Sequence, residues 1–513
     1  MGILKNTFTV GAFTMLSRVL GLVREMFQSR LIGAGMEQSA FALAFAIPNM
    51  FRKLFGEGAL TAAFVPVFAG ELAQNGVERA SRLARAVLTM AVLMLCSIVV
   101  LSMSALCVFS PFAGSERSRL AVSLVGMLLP YMVFICAAAF GMGVLNAMGR
   151  FKASSFMPAL LNAVWILALA FLSFFPGFPV ALRVKLVAAA ILFAGALQMV
   201  VMFACMRRAG VSPKPSFSGW GDGKVKLVWR NMAIAALGSG AIQVNYMLDA
   251  VLAQLASDWA AGVIGYAERL MDLPLGVVGV AFGTVLLPTF SGLFARGDVA
   301  AARETLLSSV KSLLFVMIPA AAGLFVLAPA VVKVIYEGGD FDALATVRVA
   351  RALGVYAVGL GFFGFQKTLV PWFQAQNDMK TPLRVSVATV GVNASLNILA
   401  IWLLPVEWRH VGLAASTVFC AALGCTILAV CARRGSGSLG LRKLVVPVGK
   451  ILLASVAMGA ALAWLSRRLS GTGAVLSLAI LVVSGVAVYG LCALAAMPDL
   501  VAGLRNFARR RRI

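Results

Sequence analysis

Thirteen charged residues stand inside long apolar stretches of this chain: the cations Arg18, Arg24, Arg52, Lys53, Arg269, Lys311, Arg351 and Lys367, and the acids Glu25, Glu57, Asp249, Glu268 and Asp272. Facing hydrocarbon near mid-bilayer, they would cost ~30–45 kcal/mol at ~2.5–3.5 each, so they must pair or line a wet cavity. Lys311 and Arg351 lie near the ends of their runs and are expected to snorkel. The rest of the pattern suits chemistry on an anion. Five cations (Arg18, Arg24, Arg52, Lys53, Arg269) outnumber four acids (Glu25, Glu57, Glu268, Asp272). Arginine cannot lose its charge, and its planar fork takes phosphate through two parallel hydrogen bonds. Arg52 and Lys53 follow Pro48-Asn49, where a proline frees backbone groups toward a cavity. Glu268 and Asp272 are four apart on one helical face, and Arg269 and Asp272 are an i,i+3 pair. One reading is that these charges merely neutralise one another across helices. The other is a site where four arginines converge on a diphosphate-like group of a large, amphiphilic solute. A multidrug cation exporter would need the opposite sign.

The elements that must position these residues follow from composition. Of 513 residues, 61% are hydrophobic and 12% charged, against roughly 25% charged in a globular domain. So much apolar surface requires lipid as solvent, which excludes a cytosolic enzyme, a disulfide scaffold and a disordered regulator. A single histidine, His410, excludes a histidine metal site or a Ser-His-Asp triad. The eight cysteines form no CxxC and read as small buried hydrophobes. Apolar runs able to span ~30 Å fall near 8–29, 39–68, 86–109, 120–147, 155–176, 184–205, 231–257, 261–293, 305–332, 349–375, 385–404, 411–431, 445–465 and 474–497. They predict an all-α polytopic membrane protein of about fourteen helices, since only helices or closed barrels satisfy their backbone in lipid, and these runs are too long for barrel strands. Arg18 and Arg24 interrupt the first run, which argues against a cleaved signal peptide. The 44 Lys and Arg place 26 in cytoplasmic and ten in external segments if both termini are cytoplasmic, as the positive-inside rule demands. The net charge of +25 is thus mainly a topology signal, without nucleic acid as partner. Arg509 to Arg512 are expected to touch anionic membrane lipids.

The chain also repeats. PVFAGELA (66–73) matches PTFSGLFA (288–295), LNAMGRFK (145–152) precedes the fifth span as FQAQNDMK (373–380) precedes the eleventh, and Asn-Ala recurs at 162–163 and 393–394. Six spans per unit is an even number, so the halves share an orientation, as in transporters built from parallel repeats. The expected organisation is an N-lobe at 1–220, a C-lobe at 221–435, two additional spans at 436–499 and a basic tail at 500–513.

On the stretches SRVLGLVRE (17–25), IPNMFRKLFGEGALTAAFVPVF (47–68), YAERLMDLPLGVVGVAFGTVLLP (266–288) and NDMKTP (377–382), the chain resembles the MurJ (MviN) family of bacterial lipid II flippases in the MOP exporter superfamily. The resemblance implies translocation of the undecaprenyl-diphosphate-linked peptidoglycan precursor from the inner to the outer leaflet, for cell-wall synthesis and cell shape. By it, Arg18, Arg24, Arg52 and Arg269 match essential cavity arginines, with Lys53, Glu57 and Asp272 beside them. The two extra spans imply a groove for the lipid tail. A sodium site of the family joins spans 7 and 11, and Asp249 and Asp378 match its carboxylates. Gln374 stands where an Asn can occur and Ala394 where a Thr can. Ser39 stands where an Asp is frequent, so no carboxylate role carries over there.

The implied protein is a monomeric transporter of the bacterial inner membrane, not an enzyme, without a cofactor beyond possible sodium. It has no GxxxxGK[ST] motif for ATP. The competing readings are a flippase for another lipid-linked oligosaccharide, a MATE-like cation antiporter, which predicts cavity acids over arginines, and a non-transporting scaffold, which predicts degraded cavity charges.

Overall fold

The computed structural model describes residues 2–112, 114–469 and 471–498, with the side chains of 2–9, 56–59, 61–62, 109, 112, 237–239, 241–242, 277–281 and 283–284 left aside. Among the described residues the secondary structure is helical, with one isolated bridge between Gly338 and Phe341. The helices are α1 (Gly2–Ile32), α2 (Met36–Phe51), a π-helical stretch (Arg52–Ala59), α3 (Leu60–Phe109), α4 (Glu116–Ala147), α5 (Phe151–Ser173), α6 (Val180–Arg208), α7 (Gly223–Ala256), α8 (Ala260–Ala295), α9 (Val299–Tyr336), α10 (Ala343–Gln374), α11 (Lys380–Leu403), α12 (Val406–Ser436), α13 (Val445–Arg468) and α14 (Ala474–Ala496). All fourteen expected spans fall on helix. Ten helices among the described residues are long and apolar enough by themselves to cross a membrane.

Two boundaries differ from the sequence reading. The polar connection expected between the second and third spans is itself helical, so α3 runs on through it and turns only at Gly76, whose φ of 77° breaks the helix. The second span is therefore composite. It comprises α2, the π-helical stretch and the start of α3, because Pro48 lies four residues before the wider turns begin.

The chain divides into two compact units, one of residues 1–254 with 338–341, the other of 255–337 with 342–513. The sequence repeat starts the second half at 221, so the two boundaries differ by α7. That helix is tied to the first unit at both ends. Lys224 pairs with the buried Glu71, and Val225, Val228 and Met232 join a core with Phe64, Phe68, Phe140 and Met202. At the far end Gln254 Nε2 donates to Ser39 O at 2.6 Å, while Arg117 Nη1 donates to Gln254 O at 2.9 Å. The 338–341 turn is held by Arg183, which meets Asp340 at 2.6 Å.

Within the units the packing order repeats. In the first, α4 packs against α2, α3 and α6; in the second, α10 packs against α8, α9 and α12, six spans on. Small residues make the equivalent approaches possible, because helices in lipid associate by close backbone contact. A Cβ on Gly195 of α6 would stand 2.4 Å from the Tyr131 ring of α4, and one on Gly359 of α10 would stand 2.7 Å from Val418 of α12. Gly195→Ala is expected to destabilise the protein by ~1–3 kcal/mol, the range for overpacking, read as a lowered melting temperature in detergent. The last two helices, α13 and α14, pack on α9, where Leu327, Met458, Leu462 and Leu481 form a small core. Their other faces are apolar and open, with Leu453 73% and Val486 70% exposed, as lipid contact requires.

Candidate functional site

In the first unit, the helix pair α1 and α5 builds the most enclosed charge. Arg24 is 7% and Glu25 8% exposed, and Arg24 Nη2 is bonded to Glu25 Oε1. Adjacent residues on a helix point about 100° apart, so this contact needs help. It comes from α5, where Asn162 Oδ1 accepts from Arg24 Nη1 at 3.0 Å and the Trp165 ring lies 4.3 Å below the guanidinium carbon. Asn162 is fixed in turn, since its Nδ2 donates to Ser17 O at 2.9 Å. The guanidinium is thus clamped on two edges and one face, in a setting where a single unpaired charge would be severely unfavourable.

The other first-unit residues are less enclosed. Arg18 is half-buried on α1; six residues before Arg24, it points about 120° away around the helix. Arg52 opens the π-helical stretch, which packs on α2 and α4, and its Nε donates to Asn49 Oδ1 at 3.1 Å. Lys53 sets its ammonium 4.6 Å from the centre of the Tyr246 ring on α7. Glu57 falls in the same stretch, but its side chain lies outside the described residues. A wider helical turn splays consecutive side chains, and such turns are frequent at functional sites.

In the second unit, Glu268 of α8 is bonded to a neighbouring helix. Glu268 Oε1 accepts from Tyr356 OH of α10 at 3.2 Å. Arg269 and Asp272 are both exposed on α8. Lys367 is exposed as well. Arg351 lays its guanidinium 4.6 Å from the Trp408 ring at the start of α12.

Asp249, Gln374 and Asp378 are distributed over both units, Asp249 in the first and the other two in the second. Asp249 Oδ2 accepts from Asn245 Nδ2 at 3.1 Å. Asp378 Oδ1 accepts from the backbone N–H of Lys380 and Thr381 at 3.1 and 3.0 Å, so it caps the first turn of α11. Those bonds, Thr381 foremost, hold its carboxyl below the usual carboxylate range and keep it ionised at neutral pH. Carbonyl and carboxylate oxygens suit a hard cation, and the local geometry retains an acceptor character at both acids.

Asn162, Trp165, Tyr246 and Tyr356 were not expected as site residues. A faint signal existed for one of them, because Asn162 is the repeat partner of Asn393. In the second unit Asn393 Oδ1 accepts from Asn397 Nδ2 at 3.0 Å, and Asn397 accepts from Ser416. Asn162→Ala is expected to destabilise the protein by the ~1–3 kcal/mol of a buried hydrogen-bond partner lost, read as a lowered melting temperature, and to reduce transport about tenfold at matched membrane level as Arg24 loses its orientation.

Comparison with known proteins follows the same lines. The family model described as lipid II flippase MurJ matches residues 28–484. A probable lipid II flippase MurJ of Rhizobium tropici is 34% identical, covering 100% of this chain and 98% of that protein. A lipid II flippase MurJ of Burkholderia cenocepacia is 32% identical over 86% of this chain and 84% of that one. Among solved structures, a lipid II flippase MurJ in an inward closed conformation superposes with a TM-score of 0.78 at 23% identity, over 96% and 99% of the two chains. An inward-facing multidrug resistance MATE family transporter of the MOP superfamily gives 0.69 at 17% identity, over 85% and 99%.

Proposed function

The chain belongs to the MurJ family of lipid II flippases, and from that premise we propose that its membrane-embedded arginines carry the diphosphate of lipid II from the inner to the outer leaflet by alternating access. The protein is a multi-pass membrane transporter, and its cargo is the lipid-linked peptidoglycan precursor that cell-wall synthesis consumes. The observation that carries the assignment of the site is Arg24, a buried arginine clamped by Glu25, Asn162 and Trp165. Retaining so costly a charge inside a membrane protein is the mark of a solute pathway. The fold is shared with a MATE transporter, but an organic cation would be repelled by Arg18, Arg24, Arg52, Lys53 and Arg269.

The physical sequence runs as follows. A polar head group cannot cross hydrocarbon, so a cavity open to the inner side accepts it while the lipid tail stays in the bilayer, lying along the groove of α13 and α14. Arg24 is held by Asn162 and Trp165, so its planar fork meets phosphate oxygens without first having to be ordered. Arg18, Arg52, Lys53 and Arg269 add charge, while Glu57 and Asp272 neutralise part of it so that release remains feasible. An inside-negative potential favours export by ~2.3 kcal/mol per negative charge per 100 mV crossing the full field, and the same field returns the empty, positive site inward. Sodium bound by Asp249, Gln374 and Asp378 would add a positive charge coupled to the cycle.

The location is the bacterial inner membrane with both termini cytoplasmic, an orientation supported by the 26-to-10 distribution of Lys and Arg. The working form is a monomer, without nucleic acid or ATP.

Complementation tests the function directly. In cells whose own lipid II flippase is switched off, the wild-type chain is expected to restore growth and normal shape. A chain that inserts at normal level in purified form, and neither rescues nor moves lipid II in defined vesicles, would refute the proposal.

A further inference from the structure

Arg433 and Arg442 are nine residues apart and separated by the end of α12, yet both line one groove of about 540 Å3 on the second unit. The turn that brings them together is anchored from inside. Arg303 donates to Ser436 O, and Leu439, 2% exposed, is buried in the core with Leu306, Leu369 and Leu428. The rest of the lining is mainly apolar, with Phe362 and Phe365 of α10 and Ala429 and Val430 of α12, interrupted by the hydroxyls of Thr426 and Ser438. Phe362 and Val430 are 39% and 43% exposed, so this wall is open to an apolar chain. Over residues 431–450 there are five basic side chains, Arg433, Arg434, Arg442, Lys443 and Lys450, and no acid. None of these groups takes part in the cargo site described above.

We propose that this groove binds one anionic phospholipid, its phosphate between Arg433 and Arg442 and its acyl chain against Phe362, Phe365 and Val430. Charge selects the occupant. A zwitterionic lipid brings the same phosphate but offsets its charge with its own ammonium and so gains less from the two arginines, and a free phosphate would satisfy the arginines but leave the wall bare. Basic pockets between transmembrane helices take lipid head groups in this way, and two basic side chains near the surface favour an anionic head group by about thirtyfold. The site is independent of which lipid-linked cargo the protein moves.

The test is native mass spectrometry of the purified full chain, titrated with phosphatidylglycerol and with phosphatidylcholine of the same acyl length. One phosphatidylglycerol is expected to bind about thirtyfold more tightly than phosphatidylcholine. In Arg433→Gln/Arg442→Gln that preference is expected to fall to about twofold or less, with an unchanged melting temperature because both side chains are exposed. Val430→Trp, which leaves both arginines in place, is expected to weaken both lipids by filling the groove. Arg467→Gln/Arg468→Gln, beyond this groove at the end of α13, is expected to change nothing. An unaltered preference in the double variant would overturn the proposal. So would displacement of the lipid by glycerol 3-phosphate at equal concentration, which would make this an anion site indifferent to the acyl chain.

Discussion

Arg24→Lys is expected to abolish rescue of flippase-depleted cells while leaving the protein folded and inserted. Lysine keeps the positive charge, so Glu25 retains a counter-ion and the severe penalty of an uncompensated buried carboxylate is avoided. What is lost is the fork. An ammonium cannot donate to Asn162 and Glu25 in the same plane, lie over Trp165 at 4.3 Å and still offer two parallel donors to phosphate. Charge-assisted hydrogen bonds contribute ~1.5–3 kcal/mol each, so loss of two predicts a fall in transport of at least about a hundredfold. The measurement is growth rescue at matched membrane level, backed by uptake of lipid II into the accessible leaflet of defined vesicles. Full activity of the lysine variant would mean that Arg24 serves as a point charge for Glu25 and never meets the cargo.

Arg269→Gln is the second large effect, and it isolates charge from fold. Arg269 is exposed on α8, so glutamine replaces it without opening a cavity in a packed core. Transport is nonetheless expected to be lost, because an accessible guanidinium on the second unit is the feature that would engage the diphosphate there. Arg467→Gln, at the end of α13 and outside the cargo site, is the control and is expected to support growth as the wild type does. Equal rescue by the two variants would remove Arg269 from the site. Together with the lysine substitution at Arg24, the pair tests one arginine from each compact unit by different chemistry: geometry at the first, charge at the second.

The composition and the long apolar runs determined the fold class, because lipid leaves a chain of this hydrophobicity few alternatives to helices and their number can be counted. The spacing of repeated segments determined which helices play equivalent parts, and the equivalent packing of α4 and α10 bears this out. The charges stranded inside apolar runs marked the residues on which a site would depend, because the cost of burying a charge is a local property readable from one segment at a time. Tertiary structure alone decided how those charges are held. Nothing local turns Arg24 toward its own neighbour Glu25; that requires Asn162 and Trp165, which lie about 140 residues further on and reach it only because α5 packs on α1. Glu268 was grouped with Arg269 and Asp272 by helical spacing, and its bond to Tyr356 of α10 is one that spacing along α8 could not reveal. The attachment of α7 to the first unit and the pairing of Arg433 with Arg442 across a buried turn have the same origin. Periodicity reports which face a residue occupies, whereas the partner on that face is supplied by a distant segment, and only packing brings the two within hydrogen-bond reach.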